Sequence, residues 1–174
     1  MKICIIGTSG VGKTTLAKRL YQEFNIPMYE FDDIYWDKTG DEYRKNSPDI
    51  IQSRVSGVLS QEAWIVEGAY DKRLLPFFND SMLIIHLTES HRVCAARIIK
   101  RFIFARLARK RPKETWKNTR ELLSFTKEFE SRLGAFFVLH PELGLKKVTV
   151  NANKINAIDV VKYFKYTQST INIL

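Results

Sequence analysis

The residues with the plainest chemistry stand near the start of the chain, where Gly7-Thr8-Ser9-Gly10-Val11-Gly12-Lys13-Thr14 follows an apolar run and precedes a helical pattern. This Gly-x4-Gly-Lys-Thr spacing puts glycine where the backbone must turn tightly and bring its N–H groups against phosphate oxygens, an approach that side chains would block. A helix that starts at the end of the turn adds the positive end of its dipole. Lys13 then reaches the outer phosphates and the Thr14 hydroxyl can ligate Mg²⁺, with Thr15 in the same first turn. Gly7 through Thr15 therefore read as a site for the phosphates of ATP, with GTP left open. Gly10 is an extra glycine beyond the pattern and implies a further close approach of backbone.

Carboxylates are the second candidates. In an open parallel sheet, ligands gather beyond the carboxyl ends of the strands, and two apolar runs here end in acids: Asp32-Asp33 follows the run up to Phe31, and Glu67-Gly68 follows Trp64-Ile65-Val66. A carboxylate buried at an apolar strand end needs a partner, and a hydrated Mg²⁺ beside the phosphates suits Glu67. Asp32 stands where it could position an acceptor hydroxyl or accept its proton in phosphoryl transfer, and spacing does not choose between these roles. The plain structural alternatives are a turn cap for Asp32 and a lysine partner for Glu67.

These residues need a scaffold, and the pattern supplies one. Apolar runs alternate with helical patterns from the first residue, the rhythm of βα units around a parallel sheet. Strands are expected at Lys2–Gly7, Pro27–Phe31, Ala63–Glu67, Ser81–Leu87 and Lys147–Val150. Helices are expected at Lys13–Phe24, about 49–61, from near Glu89 (capped by Thr88 or Ser90) to about Lys110, about 113–138, and Ile155–Tyr166. The expected fold is α/β, a P-loop three-layer arrangement with a five-stranded parallel sheet. The 174 residues suit one domain over 1–174, enough to bury a core without disulfides or a structural metal. No apolar run approaches the roughly 20 residues that cross a bilayer, so the default address is the cytoplasm. Cys4 and Cys94 read as reduced, buried thiols, and His86, His91 and His140 as structural residues without ligand spacing.

The quoted stretches together carry a family resemblance. GTSGVGKTT, YEFDDIYWD, WIVEGAYDKRL and the strand LIIHL followed by an arginine-rich helix resemble the P-loop kinases of adenylate kinase-like fold. More closely, they are similar to the topology modulation proteins of the FlaR type, over about residues 1 to 150. The resemblance implies ATP with Mg²⁺, Lys13 on the phosphates, Thr14 on the metal, Asp32 at the acceptor and Glu67 near Mg²⁺ through water. It also implies a helical lid over about residues 101–120, with Arg97 and Arg101 for the transferring phosphoryl group and Arg106, Arg109 and Arg111 in the lid itself. The chain departs from the pattern after Glu67, where Gly68-Ala69-Tyr70 replaces Gly-Phe-Pro-Arg and Arg73 follows. Between Asp32 and Trp64 no nucleoside-monophosphate pocket is legible.

The basic excess is local. The net charge is +9, and the segment from Arg92 to Arg120 alone carries eleven lysines and arginines against Glu114. Arg97 and Arg101 are one helical turn apart, where like charges repel unless an anion lies between them. For a kinase that anion is the phosphoryl group under a closing lid, bound for a small acceptor. For a nucleotide-dependent DNA-associated protein it is the nucleic-acid backbone. A simple NTPase is the third reading, and the oligomeric state is open. Phe102, Phe104, Trp116 and Phe125, interleaved with the charges, are expected to face the core.

Overall fold

The computed structural model describes residues 1–108 and 115–171. In chain order the elements are β1 (Lys2–Ile6), α1 (Lys13–Phe24), β2 (Met28–Glu30), α2 (Phe31–Tyr35), β3 (Trp36–Asp37), β4 (Arg44–Lys45), α3 (Pro48–Leu59) and β5 (Trp64–Gly68). After a 3₁₀ turn at Lys72–Leu74 come α4 (Leu75–Asp80), β6 (Leu83–Thr88), α5 (His91–Leu107), α6 (Trp116–Leu139), α7 (Pro141–Gly144), β7 (Lys147–Asn151) and α8 (Ala157–Ile171).

Five strands form one parallel sheet in the order β2-β5-β1-β6-β7. β1 lies at its centre and is buried from Ile3 to Ile6, as a strand covered on both faces must be. Its alternation divides the core into two layers. Ile3 and Ile5 pack with Val11, Leu16, Leu20 and Cys94 on one face. Cys4 and Ile6 pack with Trp64, Phe77, Phe78 and Phe129 on the other. The five-stranded sheet and the three layers are those expected from the apolar rhythm. Because β2 and β6 leave β1 on opposite sides, the crevice beyond the carboxyl end of β1 is where ligands collect.

The helix ends follow local chemistry. Ser47 caps α3, with Pro48 in its first turn. Ser90, one of the two expected caps, accepts from the Val93 amide at the start of α5. Thr115 accepts from the Asn118 amide and opens α6.

Two expectations need correction, and one element went unread. The second strand stops at Glu30, and Phe31 begins α2, because its ring is drawn into a cluster with Tyr35, Tyr70 and Phe77. The two-stranded antiparallel sheet of β3 and β4 had no signal strong enough to read. Phe102 is buried and Phe125 half-buried, but Phe104 and Trp116 are 58% and 56% exposed. The buried stripe of α5 is Cys94, Ile98 and Phe102, spaced by four, and Phe104, two positions on, faces away from it. The lid expected over residues 101–120 coincides with the end of α5 and the start of α6; Arg109 and Arg111, with Lys110, Lys113 and Glu114, lie outside the described residues. Among the described residues no helix is long and apolar enough to cross a membrane.

Candidate functional site

The loop after β1 is shaped by glycine at two positions for two different reasons. Gly12 caps α1 with φ 116°, and a Cβ there would touch nothing, so only the backbone conformation calls for glycine. No side chain caps α1, which leaves the first-turn amides turned toward the crevice. Gly10 has φ 80°, and a Cβ would stand 2.6 Å from the Cys94 carbonyl oxygen. The close approach implied by this extra glycine is therefore made by α5, not by a ligand.

Lys13 is 8% exposed and its Nζ donates to the Thr8 carbonyl at 3.1 Å. Burial pushes its pKa below the ordinary lysine value, while Glu67 and Asp32 pull it back up. The Thr8 hydroxyl, also buried, has no hydrogen-bond partner among the described residues. A loop that holds a buried cation and an orphaned hydroxyl under uncapped amides is complementary to phosphate oxygens.

The carboxylates come from the two strands on one side of β1. Along β5, the period of two sends Trp64 and Val66 to one face and Ile65 and Glu67 to the other, the face covered by α1. Glu67 is 6% exposed and accepts from the Thr14 hydroxyl at 2.5 Å. In register beside it stands Glu30, the last residue of β2; its carboxyl is raised by burial and then by the charge of Glu67. Asp32, in the first turn of α2, accepts from the Tyr70 hydroxyl at 2.6 Å. Tyr70 in turn accepts from the Trp36 indole at 3.2 Å. Burial and then Asp32 push the Tyr70 pKa up, so its hydroxyl keeps its proton for Asp32. Arg73 lies over the rings of Tyr35 and Tyr70, 4.2 and 5.2 Å from their centroids. Asp33 is engaged by Lys38 at 2.5 Å, and the Arg54 guanidinium donates to the Asp33 carbonyl.

From the other side of β1 comes α5. The Arg97 guanidinium donates to the Gly10 and Val11 carbonyls, each at 3.1 Å, and to Asn153 Oδ1 at 3.4 Å. Asn153 also donates to Glu89. Arg101, one turn later, lines the cavity and lowers the pKa of Lys13 by its charge.

All of this surrounds one cavity of about 500 Å³. Ser9 through Thr15, Asp32, Glu67, Arg97 and Arg101 line it, and Gly7 and Thr8 do not, so most of the residues named from the motif and from the family resemblance are brought together. Sequence reasoning missed Glu30, which completes the carboxylate pair, and Asn153, which follows the last strand. It also missed the Tyr70–Asp32 bond, although Tyr70 sits in a quoted motif. No signal marked Glu30, which the sequence placed inside a strand running on to Phe31. None marked Asn153, which reaches Arg97 through the fold.

The oxygen donors fit a divalent cation: the Thr14 hydroxyl and the buried Glu67 carboxylate are in contact at the foot of the loop, and Glu67 has no ion-pair partner among the described residues. Among those residues no group of three or more His, Cys, Asp or Glu side chains could hold a metal. A site with so few protein ligands suits Mg²⁺, which keeps water and substrate phosphates in its shell.

A family model, ATPase family associated with various cellular activities (AAA), matches residues 3–160. Solved structures share the fold. A gluconokinase from Sinorhizobium meliloti 1021 is 15% identical with a TM-score of 0.53, covering 97% of this chain and 91% of that one. A shikimate kinase from Bacteroides thetaiotaomicron is 17% identical with a TM-score of 0.54, covering 98% and 97%. No curated protein matches the chain in sequence.

Proposed function

The chain belongs to the ATPase family associated with various cellular activities, whose model spans residues 3–160, and from that premise we propose that it is a kinase transferring the γ-phosphoryl group of ATP to a small hydroxyl acceptor. The observation that carries this reading is the placement of Asp32 and Arg101 on the same cavity as Lys13, from opposite sides of the loop. The kinase neighbours support the same reading through their fold.

In this reading the loop amides and Lys13 hold the phosphates, and Thr14 and Glu67 would hold Mg²⁺, which would supply neutralisation of phosphate charge. Asp32, oriented by Tyr70, accepts the proton of the acceptor hydroxyl. Arg101 faces the phosphoryl group as its charge spreads. Arg97 shapes the loop through the Gly10 and Val11 carbonyls. Arg97 and Arg101 of α5 line the cavity, as a lid requires, whereas Arg92, Lys100 and Arg106 of the same helix are exposed and keep nucleic-acid binding as the rival that the test addresses. The resemblance to FlaR-type topology modulation proteins and to adenylate kinases remains part of this proposal, as do action as one unit over residues 1–174 and a cytoplasmic site.

The test is ADP release from ATP and Mg²⁺ with a panel of hydroxyl compounds and a Lys13→Ala control. Acceleration by an acceptor that disappears in the control is expected. Constant slow hydrolysis with every compound, together with tight, salt-sensitive DNA binding, would sink the kinase reading.

A further inference from the structure

We infer that the acceptor carries no anionic group and is a neutral hydroxyl compound of the sugar or nucleoside kind; this rests on the kinase reading above. The cavity is sorted by charge. Its cations Lys13, Arg97 and Arg101 belong to the loop and to α5, whereas the ionisable groups that line it from β2, α2 and β5 are Glu30, Asp32 and Glu67. Arg19 also lines the cavity, but one turn beyond Thr15 on a helix that leads away from the strand ends.

Cations near the acidic side, Lys38, Arg54, Arg73 and Arg132, do not line the cavity. Lys38 is paired with Asp33 at 2.5 Å, and Arg54 donates to the Asp33 carbonyl at 2.6 Å. Arg73 lies over the Tyr35 and Tyr70 rings and, though exposed, does not line the cavity, and Arg132 is held by Asp71 at 3.2 Å. Lys13 is held at the Thr8 carbonyl beneath the loop. A carboxylate or phosphate on the acceptor would enter beside Asp32 and Glu30 with no cation lining that wall of the cavity to meet it, and like-charge juxtaposition rejects partners strongly.

A second observation, independent of the charge count, shows that Asp32 is oriented and not merely present. Its Oδ1 accepts from the Tyr70 hydroxyl at 2.6 Å, and Tyr70 is itself fixed by the Trp36 indole. A carboxylate so held accepts from acceptor hydroxyls with little reorganisation. In the step that follows, the acceptor oxygen bonds to the γ-phosphorus and the bond from that phosphorus to the β,γ-bridging oxygen breaks. ADP leaves with the electron pair, and the hydroxyl proton passes to Asp32 and then to water.

The experiment measures ADP release by the full chain with ATP and Mg²⁺ and with matched probes: glucose against gluconate, glycerol against glycerate, adenosine against AMP, cytidine against CMP. A neutral member is expected to accelerate release and to exceed its anionic counterpart by about 100-fold in kcat/KM. Asp32→Asn should lower neutral turnover and narrow that ratio to about tenfold, and Glu30→Gln reads the same ratio should Asp32→Asn fail to fold. A preferred anionic acceptor, or a ratio unmoved by these variants, overturns the inference and leaves the kinase reading standing. If no probe accelerates release while ATP is slowly hydrolysed, the kinase reading falls and the inference with it.

Discussion

Replacing Arg97 by alanine separates two jobs that an arginine beside a phosphate loop can do. Its guanidinium holds the Gly10 and Val11 carbonyls at 3.1 Å each and reaches Asn153 at 3.4 Å. A hydrogen bond to a charged group contributes about 1.5–3 kcal/mol. Arg97 is exposed, so water competes for both bonds, and the pair together is set at about that same range rather than twice it. Each 1.4 kcal/mol is roughly tenfold in an equilibrium constant. Arg97→Ala should therefore weaken ADP and ATP alike by about tenfold to 100-fold, because the loop that both nucleotides need loses its hold on α5. Turnover at saturating ATP should fall only severalfold. The assay is calorimetric titration with ADP beside steady-state turnover with ATP. If ADP affinity is unchanged while kcat collapses by about 10³ or more, as for an arginine on the transferring group, the loop-holding role is refuted. Arg101→Ala is the counterpart, with kcat lowered by about 10²–10³ and ADP affinity near that of the parent.

Other perturbations read other parts of the site. Gly10→Ala should destabilise the protein and lower nucleotide affinity, since its Cβ would stand 2.6 Å from the Cys94 carbonyl at φ 80°; thermal melting with and without ADP checks both, and an unchanged melt would show that α5 yields easily. Tyr70→Phe removes the donor to Asp32 at 2.6 Å and should lower kcat/KM for the acceptor by about tenfold or more, with ATP affinity unaltered in the same titration. Nucleotide binding favours charged Lys13, whose pKa in the free protein is lowered from 10.5 by burial. ADP affinity should thus be full at pH below that lowered value and fall as pH rises through it, with proton uptake on binding in that window. Buffers of different ionisation enthalpy measure the uptake, and Lys13→Met should abolish it. Trp64→Ala, at a fully buried residue in edge contact with Phe77, should cost about 3–5 kcal/mol, seen as a lower urea midpoint at constant slope.

The parts of the site legible in the sequence were those whose chemistry is local. The phosphate loop is a run of consecutive residues, so its glycines, Lys13 and Thr14 declare turn, helix start and ligand together. The five strands were readable because a sheet covered on both faces needs continuous apolar runs, and Asp32 and Glu67 because each closes such a run.

What depends on pairing between distant segments was not readable. Glu30 acquires its meaning only when β2 lies in register beside β5 and puts it next to Glu67. Arg97 was expected on the phosphoryl group, and only the packing of α5 against Gly10 turned it onto the loop carbonyls. Asn153, Tyr70 and the charge sorting of the cavity likewise arise where chain ends of different elements meet. Spacing along one segment determines what that segment can do, and the parallel sheet, by bringing the carboxyl ends of separate strands to one edge, decides which of those capacities face each other.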